Sequence, residues 1–334
     1  MSTSSVKPCM RGRSLLTLED VSDREMLDLI ALAEALKRKK AARSPRARQY
    51  LRGRSVAMIF EKASTRTRCA ATVACFDEGA HVEYLGKSDI HFGRKESVAD
   101  TARVLGRMFD GILFRGFAHD NVVQLARYSG VPVWNGLTDD AHPTQILADL
   151  MTIKQTFGRL RGLQVVFVGD GRNNVSLSLM LGCAKAGVNF VVCSPPELAP
   201  GAEGLERCRE VAAANGSRVT MSDSPSRAVV GANVIYTDVW VSMGEEHAFE
   251  ERLRLLRPYQ VDMAMMRRSG HLDDGRLIFL HCLPAFHNHE TELTRELGAL
   301  EVTDEVFEAP FSKVFDQAEN RVHTIKAVMV ATLA

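Results

Sequence analysis

Short apolar runs, each ending in a polar or glycine-bearing turn and followed by a stretch of helical periodicity, recur along this chain of 334 residues. Ser55–Phe60, Val82–Leu85, Gly111–Phe114 and Val131–Asn135 read as strands in the first half. Leu163–Val168, Asn189–Cys193, a short run near Val219, Asn233–Thr237 and Leu277–Leu280 read as strands in the second. Strands separated by helices are expected to lie parallel, each crossover helix covering a sheet face. The expected fold class is α/β, and the length fits two such domains better than one.

Composition narrows the partners. The chain is 46% hydrophobic and 25% charged, with 42 basic against 41 acidic residues and a net charge of +1. Nothing in that balance draws the chain to nucleic acid or an anionic membrane, so any anion preference must be local. The basic stretch Lys37-Arg-Lys-Lys40, continuing into Arg43, Arg46 and Arg48, lacks interleaved aromatics and reads as cations at a helix C-terminus. That helix opens with the capping-box pattern Ser22-Asp-Arg-Glu25 and should bury Met26, Ile30, Ala33 and Leu36. Seven scattered cysteines without a paired CxxC argue for a reducing compartment, simplest read as cytoplasm. Met1–Ser14 lacks an apolar signal core, and no apolar run approaches the roughly 20 residues of a membrane span.

The first clear strand runs directly into Glu61-Lys-Ala-Ser-Thr-Arg-Thr-Arg68. A helix is expected there, with Cys69, Thr72, Val73 and Phe76 on its apolar face and Gly79 at its end. Ser64, Thr65, Arg66, Thr67 and Arg68 would then surround a helix N-terminus, whose unpaired N–H groups and dipole favour an anion such as phosphate. A helix capped by Ser64 with two solvated arginines would carry the same signature. Two later turns repeat the arrangement. Arg115 stands at the end of its strand, and His142 precedes Pro143 at the favoured first helical position. The carboxyl edge of an open α/β sheet is its ligand edge, and three such positions in succession point to a site there. The polar loop Gly86–Glu96, which holds Lys95, is longer than ordinary connections and is a candidate functional loop.

In the second half, Gly169-Asp-Gly171 resembles the start of a dinucleotide fingerprint, but Asn174 stands at the third glycine position and no acidic residue ends the next strand. Asp238 lies at the mouth of another ligand-edge turn. His281, Cys282, His287 and His289 suggest a metal, yet adjacent His281 and Cys282 at a strand end should point to opposite faces, and no second ligand pair has zinc-finger spacing. A final helix, roughly Val314–Leu333, carries Arg321 near its start.

Ser64-Thr-Arg-Thr-Arg68, His142-Pro-Thr-Gln145, Asp238-x-x-x-Ser-Met-Gly244 and His281-Cys-Leu-Pro284 together closely resemble the ornithine carbamoyltransferases, from Leu15 to the C-terminus. The resemblance implies two α/β domains joined by interdomain helices. Residues 1–150 would bind carbamoyl phosphate, with the helix over 314–334 packing back onto them, and 151–313 would bind ornithine. It further implies homotrimers, or multiples of trimers, with active sites between subunits. The reaction would transfer the carbamoyl group to the side-chain amine of L-ornithine, giving L-citrulline and phosphate, without metal or cofactor.

By the same resemblance, Ser64, Thr65, Arg66, Thr67 and Arg68 hold the phosphate. Arg115 bridges phosphate and carbonyl oxygen, and Thr67, Arg115 and His142 donate to that oxygen as charge develops. Gln145, the Leu283 carbonyl and Arg321 fix the carbamoyl amide, and Cys282 also belongs to the carbamoyl-phosphate site. Asp238 and Cys282 meet the amine, while Asn174, Ser242 and Met243 hold the α-amino and α-carboxylate groups. Where the family usually has glutamine ahead of the loop lysine, this chain has His91 before Lys95, the loop that reaches a neighbouring subunit's phosphate site. Putrescine or lysine remains open as acceptor.

Overall fold

The computed structural model describes residues 10–42, 48–93, 95–241 and 248–334. They fall into two compact units, one formed by residues up to Met151 with Glu319–Ala334, the other by Thr152–Ala318.

The first unit contains α1 (Asp23–Ala41), β1 (Ser55–Phe60), α2 (Thr65–Glu78), β2 (His81–Gly86), α3 (Val98–Met108), β3 (Gly111–Arg115), α4 (His119–Ser129) and β4 (Val133–Leu137), and then most of α5 (Pro143–Phe157). Its strands are all parallel, in the order β2-β1-β3-β4. β1 and β3 are buried almost throughout, which is why they read as continuous apolar runs rather than alternating ones. The chain leaves β1 towards one edge and returns as β3 on the other side, so the β1/β3 boundary is the topological switch point where ligands bind. The fourth strand begins two residues later than expected. Gly130 closes α4 with φ 73, and Pro132 has no N–H for the ladder, giving only its carbonyl to Ile112 at 2.9 Å.

Both hydrogen bonds of the capping box open α1, and Met26, Leu29, Ile30, Ala33 and Leu36 are buried. The lysines at its end do more than face terminal carbonyls. Lys39 lies 2.7 Å from Glu78, Lys40 2.8 Å from Asp77 and Lys37 3.0 Å from Glu319. The apolar face expected for α2 is corrected: Thr67, Ala70, Ala71, Ala74, Cys75 and Glu78 are buried, whereas Phe76 is 79% exposed. Small residues let α2 lie close to its neighbours, with Cys75 Sγ 3.9 Å from Met329 Sδ, and Lys39 pairs the inward Glu78. The large apolar side chain is left outside.

The second unit contains β5 (Gln164–Val168), α6 (Asn174–Ala186), β6 (Asn189–Cys193), α7 (Ala202–Ala214), β7 (Val219–Ser222), β8 (Val234–Thr237) and β9 (Ile278–His281), with short helices between and after the later strands. This sheet is also parallel, in the order β7-β6-β5-β8-β9, and its switch point lies between β5 and β8. Val166, Val168, Ile235, Trp240, Leu256 and Phe279 belong to its core. Two helices pass from one unit to the other: α5 crosses at Met151/Thr152 and the C-terminal helix, Val314–Leu333, at Ala318/Glu319. Among the described residues no helix is long and apolar enough to cross a membrane.

Candidate active site

In the first unit the ligand edge gathers at Thr67. Ser64 caps α2, its hydroxyl accepting the Thr67 N–H at 3.2 Å, a contact worth about 1 kcal/mol to the helix. Thr67, in the first turn, has 0% exposure. Its Oγ1 accepts from Arg321 Nη2 at 2.8 Å and from Arg115 Nη1 at 3.5 Å. The second distance is at the limit of a hydrogen bond, so Arg321 fixes the hydroxyl more firmly than Arg115 does. With both lone pairs engaged, the hydroxyl hydrogen is turned to donate. Arg321 Nη1 also donates to Gln145 Oε1 at 2.8 Å, and Gln145 Nε2 donates to Asp149 Oδ1 at 2.8 Å. His142 is buried in the same set. Burial, followed by the charges of Arg321, Arg115 and Arg66, holds its pKa well below the usual 6.5, so the ring is neutral and can give one N–H without adding charge.

The structure does not bring every expected residue into that set. Arg68 is exposed, its guanidinium 3.6 Å from the Tyr84 ring centroid, a stacking contact away from Thr67. Arg66 and Ser64 are half-buried and Thr65 is exposed. His91 and Lys95 are both exposed, and the Lys95 N–H donates to the His91 carbonyl at 3.2 Å. Among the described residues neither of these side chains makes a hydrogen bond or ion pair.

Two features of this edge escaped the sequence reading. Lys62, with 7% exposure, lies 2.6 Å from Asp139 and 4.1 Å from the Phe117 ring centroid, lacing the turn after β1 to those after β3 and β4. Gly136 in β4 leaves room for Thr67, since a Cβ there would stand 3.2 Å from Thr67 Cγ2. A lysine beside a capping serine and a glycine in a strand carry no signal of such contacts.

In the second unit, Asp238 follows β8 and Cys282 follows β9. Cys282 Sγ donates to Asp238 Oδ1 at 3.0 Å, and the same oxygen accepts the Val239 N–H at 2.9 Å. Asn174 is the first residue of α6, next to Asn173, whose side chain caps the helix by accepting the Val175 N–H at 2.7 Å. Ser242 and Met243 lie outside the described residues.

The expected opposition of His281 and Cys282 does not hold, for ligating atoms of Asp238, His281 and Cys282 lie within 4.8 Å of one another. Strand alternation stops at His281, because the chain turns through Leu283 at φ 62, a left-handed conformation that costs a non-glycine residue roughly 1 kcal/mol. A metal is nonetheless poorly served here. His281 Nδ1 accepts the Leu283 N–H at 2.9 Å, which places the ring hydrogen on Nε2, 3.3 Å from Glu301 Oε1. Neither nitrogen then offers a lone pair to the group. His287, Asp304 and Glu308 form a second cluster, in which His287 Nδ1 is 2.6 Å from Asp304 and the ring stacks on Phe307 at 3.8 Å. With both carboxylates exposed, it reads as a surface hydrogen bond.

The comparisons identify the family. Residues 13–155 match the family model for the aspartate/ornithine carbamoyltransferase carbamoyl-P binding domain, and residues 161–332 match that for the Asp/Orn binding domain. A catabolic ornithine carbamoyltransferase of Bacillus licheniformis is 55% identical over 330 residues, covering 97% of each chain. Another, from Enterococcus faecalis, is 53% identical over 97% of this chain and 96% of its own. The ornithine carbamoyltransferase structure from Pyrococcus furiosus superposes with a TM-score of 0.88 at 41% identity, covering 97% of this chain and 98% of that one. The chain belongs to the aspartate/ornithine carbamoyltransferase family.

Proposed function

We propose that the protein transfers the carbamoyl group of carbamoyl phosphate to the side-chain amine of L-ornithine, giving L-citrulline and phosphate. The observation that carries this reading is the meeting of Arg115 and Arg321 on Thr67 at the N-terminus of α2, with neutral His142 beside them. A dianionic phosphate calls for fixed charge and oriented N–H groups, which Ser64, Thr65, Arg66 and Thr67 supply together with the helix dipole. Arg68, stacked on Tyr84, adds charge at the rim.

The carbonyl oxygen gains charge as the tetrahedral intermediate forms. Donors already aimed at it lower that barrier, and Thr67, Arg115 and His142 have that role. Gln145 and Arg321, each held by the other, fix the carbamoyl amide with the Leu283 carbonyl. The nucleophile must first lose a proton, because an alkyl ammonium has a pKa of about 10.4. Asp238 attracts and orients the amine, Cys282 sits against the same carboxylate oxygen, and the departing phosphate is able to take a proton. Asn174, Ser242 and Met243 hold the amino-acid end of ornithine.

An obligate assembly of identical subunits accompanies this reading. Phe76, Thr72 and Cys69 form an exposed face on α2, and the His91 and Lys95 side chains are exposed without partners among the described residues, both suited to a second copy. We take the assembly to be a trimer or a multiple of trimers, the compartment to be the cytoplasm, and nucleic acid and membranes to be no part of the function. Light scattering should give a mass of three chains or a multiple, and Phe76→Asp should lower it. The decisive assay is phosphate release from carbamoyl phosphate with ornithine, putrescine, lysine and aspartate side by side. Ornithine should exceed each of the others by at least about a hundredfold in kcat/KM. Equal use of putrescine would remove the amino-acid end from the proposal.

A further inference from the structure

Behind the Cys282 turn lies a carboxylate that the chemistry above does not use. Glu301 has 0% exposure, as does His281. Glu301 Oε1 accepts the Phe286 N–H at 2.6 Å and faces His281 Nε2 at 3.3 Å. His281 Nδ1 accepts the Leu283 N–H at 2.9 Å, and the His281 backbone N–H donates to Gln317 Oε1 at 3.0 Å. One carboxylate therefore holds the Phe286 N–H directly and lies against the imidazole that holds the Leu283 N–H, 3.3 Å from its Nε2 without a hydrogen bond to it. Between them the chain passes through Leu283 at φ 62. A leucine keeps that conformation only where its surroundings enforce it. Apolar packing alone would not require a carboxylate and an imidazole at full burial, where each must be desolvated.

We propose that Glu301 is a positioning residue, which acts through His281 to hold the Cys282–Leu283 turn and so set the Cys282 thiol against Asp238. The proposal rests on carbamoyl transfer to ornithine, in which Asp238 and Cys282 meet the amine. Glu301 itself touches neither substrate. Its removal should therefore disturb the second substrate and the turnover step while sparing the carbamoyl-phosphate cradle of the first unit.

The test uses the purified full-length enzyme with Glu301→Ala and Glu301→Gln. Glutamine keeps an acceptor for the Phe286 N–H and a polar neighbour for the His281 ring, whereas alanine keeps neither. Glu301→Ala should lower kcat with ornithine by about 10- to 100-fold while KM for carbamoyl phosphate stays within about twofold. Glu301→Gln should keep kcat within about threefold. A second readout does not depend on turnover: the alkylation rate of Cys282 by iodoacetamide, followed by peptide mass spectrometry with an added cysteine-containing peptide as reference. It should shift at least about fivefold in Glu301→Ala and stay near wild type in Glu301→Gln.

Both quantities within about twofold of wild type in Glu301→Ala would overturn the proposal. So would equal losses in the two variants. If Glu301→Ala does not fold, His281→Asn and His281→Phe ask the same question, since asparagine retains an acceptor for the Leu283 N–H and phenylalanine does not. Equal kcat and alkylation rates in that pair would again overturn it. A wild-type enzyme inactive with ornithine would defeat the functional reading instead, and the alkylation rates would still judge Glu301.

Discussion

The two ligand edges hold their functional groups by different means. In the first unit they stand on regular elements: Arg115 is the last residue of β3, Thr67 and Gln145 lie in the first turns of α2 and α5, and Arg321 projects from the C-terminal helix. These groups brace one another, through Arg321 to Thr67 and Gln145 and through Gln145 to Asp149. In the second unit Asp238 and Cys282 stand on turns just past β8 and β9, and the turn at Leu283 depends on buried His281 and Glu301. The difference suits the two substrates. On the proposed mechanism phosphate arrives charged and meets a preset array of donors, whereas the amine must change protonation state and needs its carboxylate and thiol placed more than it needs fixed charge.

The largest effect expected from this contrast belongs to Arg115→Ala, which on the proposed mechanism removes a donor to the developing oxyanion and should lower kcat by about a thousandfold. KM for ornithine should change little. Asp238→Asn should act the other way, raising KM for ornithine by about 10- to 100-fold, as for a lost charged hydrogen bond, while equilibrium binding of carbamoyl phosphate stays at the wild-type level. If Arg115→Ala raised KM for ornithine as much as Asp238→Asn did, the division of labour between the two edges would be broken.

How far each edge could be read from sequence follows the same division. The strands are legible because burial on both faces leaves continuous apolar runs, and the α2 cradle is legible because cap, hydroxyls and guanidiniums are adjacent in the chain. The apolar face of α2 was misread because Phe76 outweighs alanines in any hydrophobic pattern, although the alanines are what allow close packing. The bond from Arg321 to Thr67 spans 254 positions, and no local pattern points to it. The turn at Leu283 is harder still. A left-handed leucine looks like any leucine, and the Glu301 that supports it is one carboxylate in an acidic, loop-rich stretch. Local chemistry is visible when residues are neighbours in the chain, and supporting contacts are not.

The smallest effect concerns His142 and the charge around it. Burial, and then the charges of Arg321, Arg115 and Arg66, depress its pKa in the folded protein, while in the unfolded chain it titrates near the usual 6.5. Below that value the unfolded state binds the proton more readily. The stability contributed by the neutral ring is therefore complete above pH 6.5 and is lost as pH falls from there through the folded pKa. His142→Gln keeps a donor and removes the titration. Denaturant midpoints followed from about pH 8 to about pH 5 should run parallel for the two proteins at the upper end and then converge, the wild type falling more steeply. Midpoints that stayed parallel throughout would mean that burial and the guanidiniums together do not depress the His142 pKa. The first unit would then differ from the second in geometry alone, without the electrostatic contrast drawn between them.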